Sequence, residues 1–129
     1  MHSAEIIWEC VGDFAKGTYS RAHSWRFDGG TVVPASASPG VVPLPHSVAE
    51  AVDPEEAYIA SIASCHMLWF LDLALRDGLR VASYRDHATG ALKNEQGRVW
   101  IPRVDLNITV RFDGQGPDLA RHTDLHDKA

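Results

Sequence analysis

Cys65 is the residue best placed to do chemistry in this chain, with Ser64 before it and His66 after it. It lies midway along the run Asp53-Pro-Glu-Glu-Ala-Tyr-Ile-Ala-Ser-Ile-Ala-Ser-Cys65-His-Met-Leu-Trp-Phe-Leu71, which reads as one long, nearly all-apolar helix. A thiol there is either an inert core group or a protected nucleophile. The thiolate is the reactive form, and a free cysteine has a pKa of roughly 8.5. A helix N-terminus lowers that value, but the effect fades within about one turn, and Cys65 sits some three turns in. Apolar surroundings push a thiol pKa up. A reactive Cys65 therefore needs a cation delivered from elsewhere, and a buried arginine would in turn need a carboxylate to hold it.

Other candidates carry less. His122 and His126 are four apart on a predicted helix, a spacing that suits two metal ligands, but no third or fourth ligand is placed nearby. No metal and no organic cofactor is expected. His46 and His66 are expected to be structural or solvent-facing. Ser61 and Ser64 lack the strand–turn–helix elbow of an esterase nucleophile. Cys10 falls on a predicted strand and is expected to be a packing residue.

The elements that must position these residues follow from local signals. Asp53 is a good N-cap, Pro54 suits the first helical position, and Glu56 completes a capping box. With Gly78 as the stop, the helix spans roughly 24 residues, or about 36 Å. It is apolar almost all round, so both sides must be covered. A sheet from so small a chain covers one side, and a second copy of the chain is the simplest cover for the other. Ala57, Ser61 and Cys65 recur every four residues, a small-residue stripe that lets another helix approach.

Residues 5–11 and 18–27 read as strands separated by turns, with Thr31-Val32-Val33 as a short third strand. Residues 34–48, with four prolines, read as a loop. Arg80 to Tyr84 is a short strand, and 86–97 is polar and turn-rich. From Trp100 to Phe112 the chain alternates cleanly, with Trp100, Pro102, Val104, Leu106, Ile108, Val110 and Phe112 on one face. Residues 117–129 read as a last helix.

The bulk numbers bound the partners. A chain of 129 residues suits a single domain over 1–129. Its net charge of −5, without a Lys/Arg cluster, argues against nucleic acid or an anionic membrane surface. Two cysteines do not make a disulfide framework, and Met1-His-Ser-Ala-Glu5 lacks a signal peptide's basic and apolar regions. A cytoplasmic protein is expected. Residues 57–75 are about long enough to span a bilayer, but Ser61, Ser64, His66 and Asp72 interrupt them, so no membrane span is expected.

Asp53-Pro-Glu-Glu-Ala57 followed by Ala63-Ser-Cys65-His66 resembles the OsmC/Ohr family of thiol-dependent organic hydroperoxide reductases. Trp25-Arg-Phe-Asp-Gly-Gly30, Ser83-Tyr-Arg-Asp-His-Ala-Thr-Gly90, the alternating strand and Leu125-His126-Asp-Lys-Ala129 support it, in the family's order. The resemblance implies an α+β fold with antiparallel sheets, a long buried central helix and an intertwined homodimer. It implies that Cys65 is the peroxidatic cysteine and that Glu55 belongs to the site. An N-terminal arginine usually completes that site, and Arg21 is the first candidate, Arg26 the second. These fit the required cation and its carboxylate. An apolar pocket of Met67, Phe70, Trp8 or Trp25 would favour organic hydroperoxides. Family members carry a second, resolving cysteine and a last strand after the segment matching Leu125-His126. Here the sequence ends first, so either the chain is a shortened form or an external thiol or dithiol reductant is needed. The rival reading is a non-catalytic relative, the same dimer binding a small apolar or thiol-bearing ligand.

Glu55 and Cys65 are ten residues apart, about 15 Å along one helix. If both serve one site, Glu55 is expected from the partner subunit.

Overall fold

Asp53 starts the longest helix through a reciprocal cap. Its Oδ1 accepts the Glu56 N–H at 2.8 Å, and Glu56 Oε2 accepts the Asp53 N–H at 3.1 Å. The helix, α1, runs over Pro54–Arg76. It stops where Gly78 takes a left-handed φ of 76°. There the Leu79 N–H donates to Ala74 O at 3.0 Å and the Gly78 N–H to Leu75 O at 3.1 Å, closing the last carbonyls.

This computed structural model describes residues 1–129 and is mixed α+β, with two helices and only antiparallel strand pairing between its named strands. Contacts group the chain into two units, Met1–Ala57 and Tyr58–Ala129, with α1 beginning in the first and continuing into the second.

In the first unit, β1 (Ala4–Ile7), β4 (His23–Phe27) and β5 (Val32–Ala35) form a sheet in the order β1-β4-β5, beside the small hairpin of β2 (Gly12–Asp13) and β3 (Thr18–Tyr19). The strand expected over 18–27 is thus interrupted. The Ser20 N–H turns to Val11 O and the Arg21 N–H to His46 O, each at 2.8 Å, which takes the chain out of the β4 ladder. The proline-rich loop is held from within by Ser36, which is fully buried. The Ser36 hydroxyl accepts the Val48 N–H at 2.9 Å and donates to Ala37 O at 3.0 Å.

In the second unit, β6 (Val81–Asp86) pairs with β11 (Ile108–Phe112), β7 (Thr89–Gly90) with β10 (Val104–Asp105), and β8 (Lys93–Glu95) with β9 (Arg98–Trp100). The helix α2 spans Leu119–Lys128 and is capped by Asp118, whose Oδ1 accepts the Arg121 N–H at 2.8 Å. Phe70 and Ala74 of α1 and Leu125 of α2 form the fully buried core, with Leu71, Leu73, Leu79, Val81, Val110 and Phe112 packed around them.

The single strand expected over 100–112 is broken into β9, β10 and β11. Pro102 has no N–H to give a ladder, and the alternation flips there. Trp100 and Pro102 are exposed while Ile101 is half-buried. From Val104 to Phe112 the expected faces hold, with apolar residues half-buried and Arg103, Asp105, Asn107, Thr109 and Arg111 exposed. The polar stretch 86–97 contributes β7 and β8 as well as turns.

Candidate active site

The two sides of α1 have different surroundings. Ile62, His66, Phe70, Leu73 and Ala74 are half-buried or buried. Tyr58, Ser61, Cys65, Leu68 and Leu75 are exposed at spacings of three, four, three and seven, which is one helical stripe. Leu68 is 60% exposed, Leu75 72%, and Trp69 beside them 53%. Exposed apolar side chains grouped in this way are of the kind found at interaction surfaces. Cys65 lies in it as an exposed free thiol, not inside the core of its own chain as its apolar neighbours suggested. Cys10, expected to pack, is exposed too, with its Sγ 3.7 Å from Gly12 O.

Arg21 is half-buried in the first unit. Its Nη1 donates to Gly17 O at 3.0 Å and to Tyr19 O at 2.5 Å, and its guanidinium lies 3.6 Å from the centre of the Tyr19 ring. Tyr19 in turn meets Trp8 and Phe14, so the cation caps an aromatic trio. Arg21 is held by carbonyls and a π face, and it is not paired with Glu55. Arg26 sits directly across the ladder from Glu5 and reaches its carboxylate at 3.5 Å, with both side chains more than half exposed. That is a surface ion pair. Glu55 is half-buried in the first turn of α1, where Glu56 and not Glu55 does the capping. The continuous helix keeps Glu55 and Cys65 of one chain apart. Of the aromatics proposed to line a peroxide pocket, Phe70 is fully buried core.

The side of α1 opposite the exposed stripe carries a group that sequence reasoning missed. His66 Nε2 lies 3.0 Å from His126 Nδ1, and His122 Nε2 lies 2.9 Å from His126 Nε2. His126 stacks on Phe70 at 4.3 Å between centroids and on His66 at 5.3 Å. Burial, and then the neighbouring His122 and His66, hold the His126 pKa below the ordinary histidine value. The helical spacing of His122 and His126 was a visible signal. Nothing in the sequence tied His66 to them. The two contacts use different nitrogens of His126, so the contacting atoms do not converge on one point as metal ligands must. Nearby, burial and then Asp86 push the Tyr84 pKa up to about 12.

No family model matches the chain, and no match was found among curated proteins. Solved structures do match. An OsmC-like protein of unknown function from Vibrio cholerae is 45% identical, superposes with a TM-score of 0.93, and is matched over 98% of this chain and 85% of its own. An organic hydroperoxide resistance protein from Elizabethkingia anophelis is 15% identical with a TM-score of 0.70, over 99% of this chain and 79% of its own. The organic hydroperoxide resistance protein OhrB of Bacillus subtilis is 13% identical with a TM-score of 0.59, over 98% and 82%. The last two bear on the fold alone.

Proposed function

Because the chain belongs to the OsmC-like family, and because it presents a free thiol on an otherwise apolar helix face, we propose that it is a thiol-dependent peroxidase acting on organic hydroperoxides. The observation that carries the reading is the position of Cys65, exposed midway along the Tyr58–Leu75 stripe. The substrate class proposed is the one named for two organic hydroperoxide resistance proteins that share the fold.

The cycle balances with one hydroperoxide and one dithiol. The Cys65 thiolate attacks the distal peroxide oxygen, an S–O bond forms, the O–O bond breaks, and the alkoxide takes a proton and leaves as the alcohol. The sulfur, oxidised by two electrons, is now a sulfenic acid. One thiol of the reductant attacks that sulfur and releases water. The second attacks the mixed disulfide, which returns Cys65 as a thiolate and leaves the reductant as a disulfide. No metal or organic cofactor is needed.

In this reading the working unit is a homodimer, with a second copy covering the exposed α1 face and Glu55 coming from the partner. Arg21 is the cation assigned to the thiolate. A second reading, a non-catalytic dimer that binds a small apolar or thiol-bearing ligand, draws on the engagement of Arg21 with two carbonyls and Tyr19 instead of a carboxylate. Turnover separates the two. The wild-type protein should reduce cumene hydroperoxide with dithiothreitol, and Cys65→Ser should fall to the uncatalysed background. A wild type no faster than that mutant favours the binding protein.

A further inference from the structure

Three half-buried imidazoles in a row are a costly way to fill space, and His66, His122 and His126 spend their polar atoms on one another. A neutral imidazole has one N–H donor and one acceptor nitrogen. His126 uses both, so its two bonds must run head to tail. Either His66 donates to His126 and His126 to His122, or the whole chain runs the other way. Both arrangements satisfy every facing nitrogen with the three protons that neutral rings carry.

Protons added to this chain are not equivalent. The first goes to the outer nitrogen of the ring that donates into the chain, and both N–H···N bonds survive. A second has no free nitrogen left. It must take a bonded acceptor, which breaks one of the two bonds and leaves two N–H groups facing each other at about 3 Å.

These bonds join two helices. His66 is on α1, and His122 and His126 are on α2. α2 is a polar helix with one fully buried residue, Leu125. Its other side-chain tie is Arg121, which grips Asp77 just beyond α1 with contacts of 2.6 Å to each carboxylate oxygen. That tie holds the Asp77 pKa below its usual value, so it does not titrate near neutrality. We propose that the three histidines form a proton-operated latch that clips α2 to α1 when it carries at most one proton and lets go when a second arrives.

The two carboxylates facing the latch, Asp127 and Asp86, favour a charged His126, but burial and the neighbouring rings outweigh them. Asp86 lies on β6 near Tyr84, its Oδ1 accepting the Asn107 N–H at 2.8 Å and its buried Oδ2 without a partner. β11 contributes the Phe112 ring, edge-on to His122. α1 contributes Phe70 besides His66, and α2 adds Asp127. A free histidine has a pKa of about 6.5, whereas the latched triad has one free nitrogen for an added proton and must break a hydrogen bond to take another. The released state therefore binds more protons below that value, and latching weakens as pH falls. With two protons at stake, the docking equilibrium loses up to about 100-fold per pH unit.

The inference is independent of the chemistry at Cys65. Two measurements test it. Nitrogen NMR of the imidazoles in the wild-type protein should show one proton entering the triad, shared over its rings, and the next two resisted to well below the ordinary histidine range. Three rings titrating independently near that ordinary value would overturn the proposal. Urea unfolding between pH 7 and pH 5 should show a steep loss of stability in wild type and a shallower one in His126→Phe, which keeps a ring on Phe70 but cannot titrate. Equal slopes would overturn it. If His126→Phe does not fold, the wild-type NMR titration decides alone.

Discussion

Consecutive residues on a helix point about 100° apart, and that turn separates Cys65 from His66. The thiol faces the exposed stripe, and the imidazole faces α2 and the core. The sequence brought both to notice but not this division of labour, because an almost uniformly apolar run does not say which side the chain covers by itself. Sequence placed Arg21 ahead of Arg26 through the resemblance, but the residues themselves gave no physical reason to separate them, since both lie in strand-like segments. The structure distinguishes them: one caps an aromatic trio, half-buried, while the other is in a solvent-exposed cross-strand pair. Exposed pairs of that kind contribute about 0–1 kcal/mol, whereas a cation that stabilises developing charge in catalysis contributes ~10²–10³-fold in rate. Arg21→Ala should therefore lower kcat/KM for cumene hydroperoxide by about 10²–10³-fold, and Arg26→Ala by no more than about twofold. Full activity in Arg21→Ala would remove Arg21 from the site.

At the scale of elements, α1 was the most legible part of the molecule. Asp53, Pro54, Glu56 and Gly78 are local signals, and the caps they form are those seen. The strands were less legible because ladders depend on distant partners. The 100–112 run alternates well enough to read as one strand, yet Pro102 and the separate partners β6, β7 and β8 divide it into three. The uncovered side of α1 was anticipated from its all-round apolarity, and its proposed cover is a second copy of the chain. Burying a leucine contributes about 1.5–3 kcal/mol, and a tenfold change in affinity is about 1.4 kcal/mol. Leu68→Glu loses that burial and adds an unpaired charge, so it should raise the dimer dissociation constant at least tenfold. Sedimentation equilibrium checks this. A wild type that is monomeric at all concentrations, or a mutant that dimerises as tightly as wild type, would reject α1 as the contact.

At the scale of the whole molecule, the α+β class and the family were readable because one motif, Asp53 to Ala57 with Ala63 to His66, is local in sequence and helical in structure. The histidine latch was not readable, because it joins residues 60 positions apart through packing on Phe70. The central claim is that Cys65 is the atom that meets the peroxide, and trapping its oxidised form tests this most directly. Wild-type protein treated with one equivalent of cumene hydroperoxide in the presence of dimedone should carry a single adduct on the peptide containing Cys65, by mass spectrometry, and none on that containing Cys10. An adduct confined to Cys10, or none on either cysteine while the peroxide persists, would contradict the account.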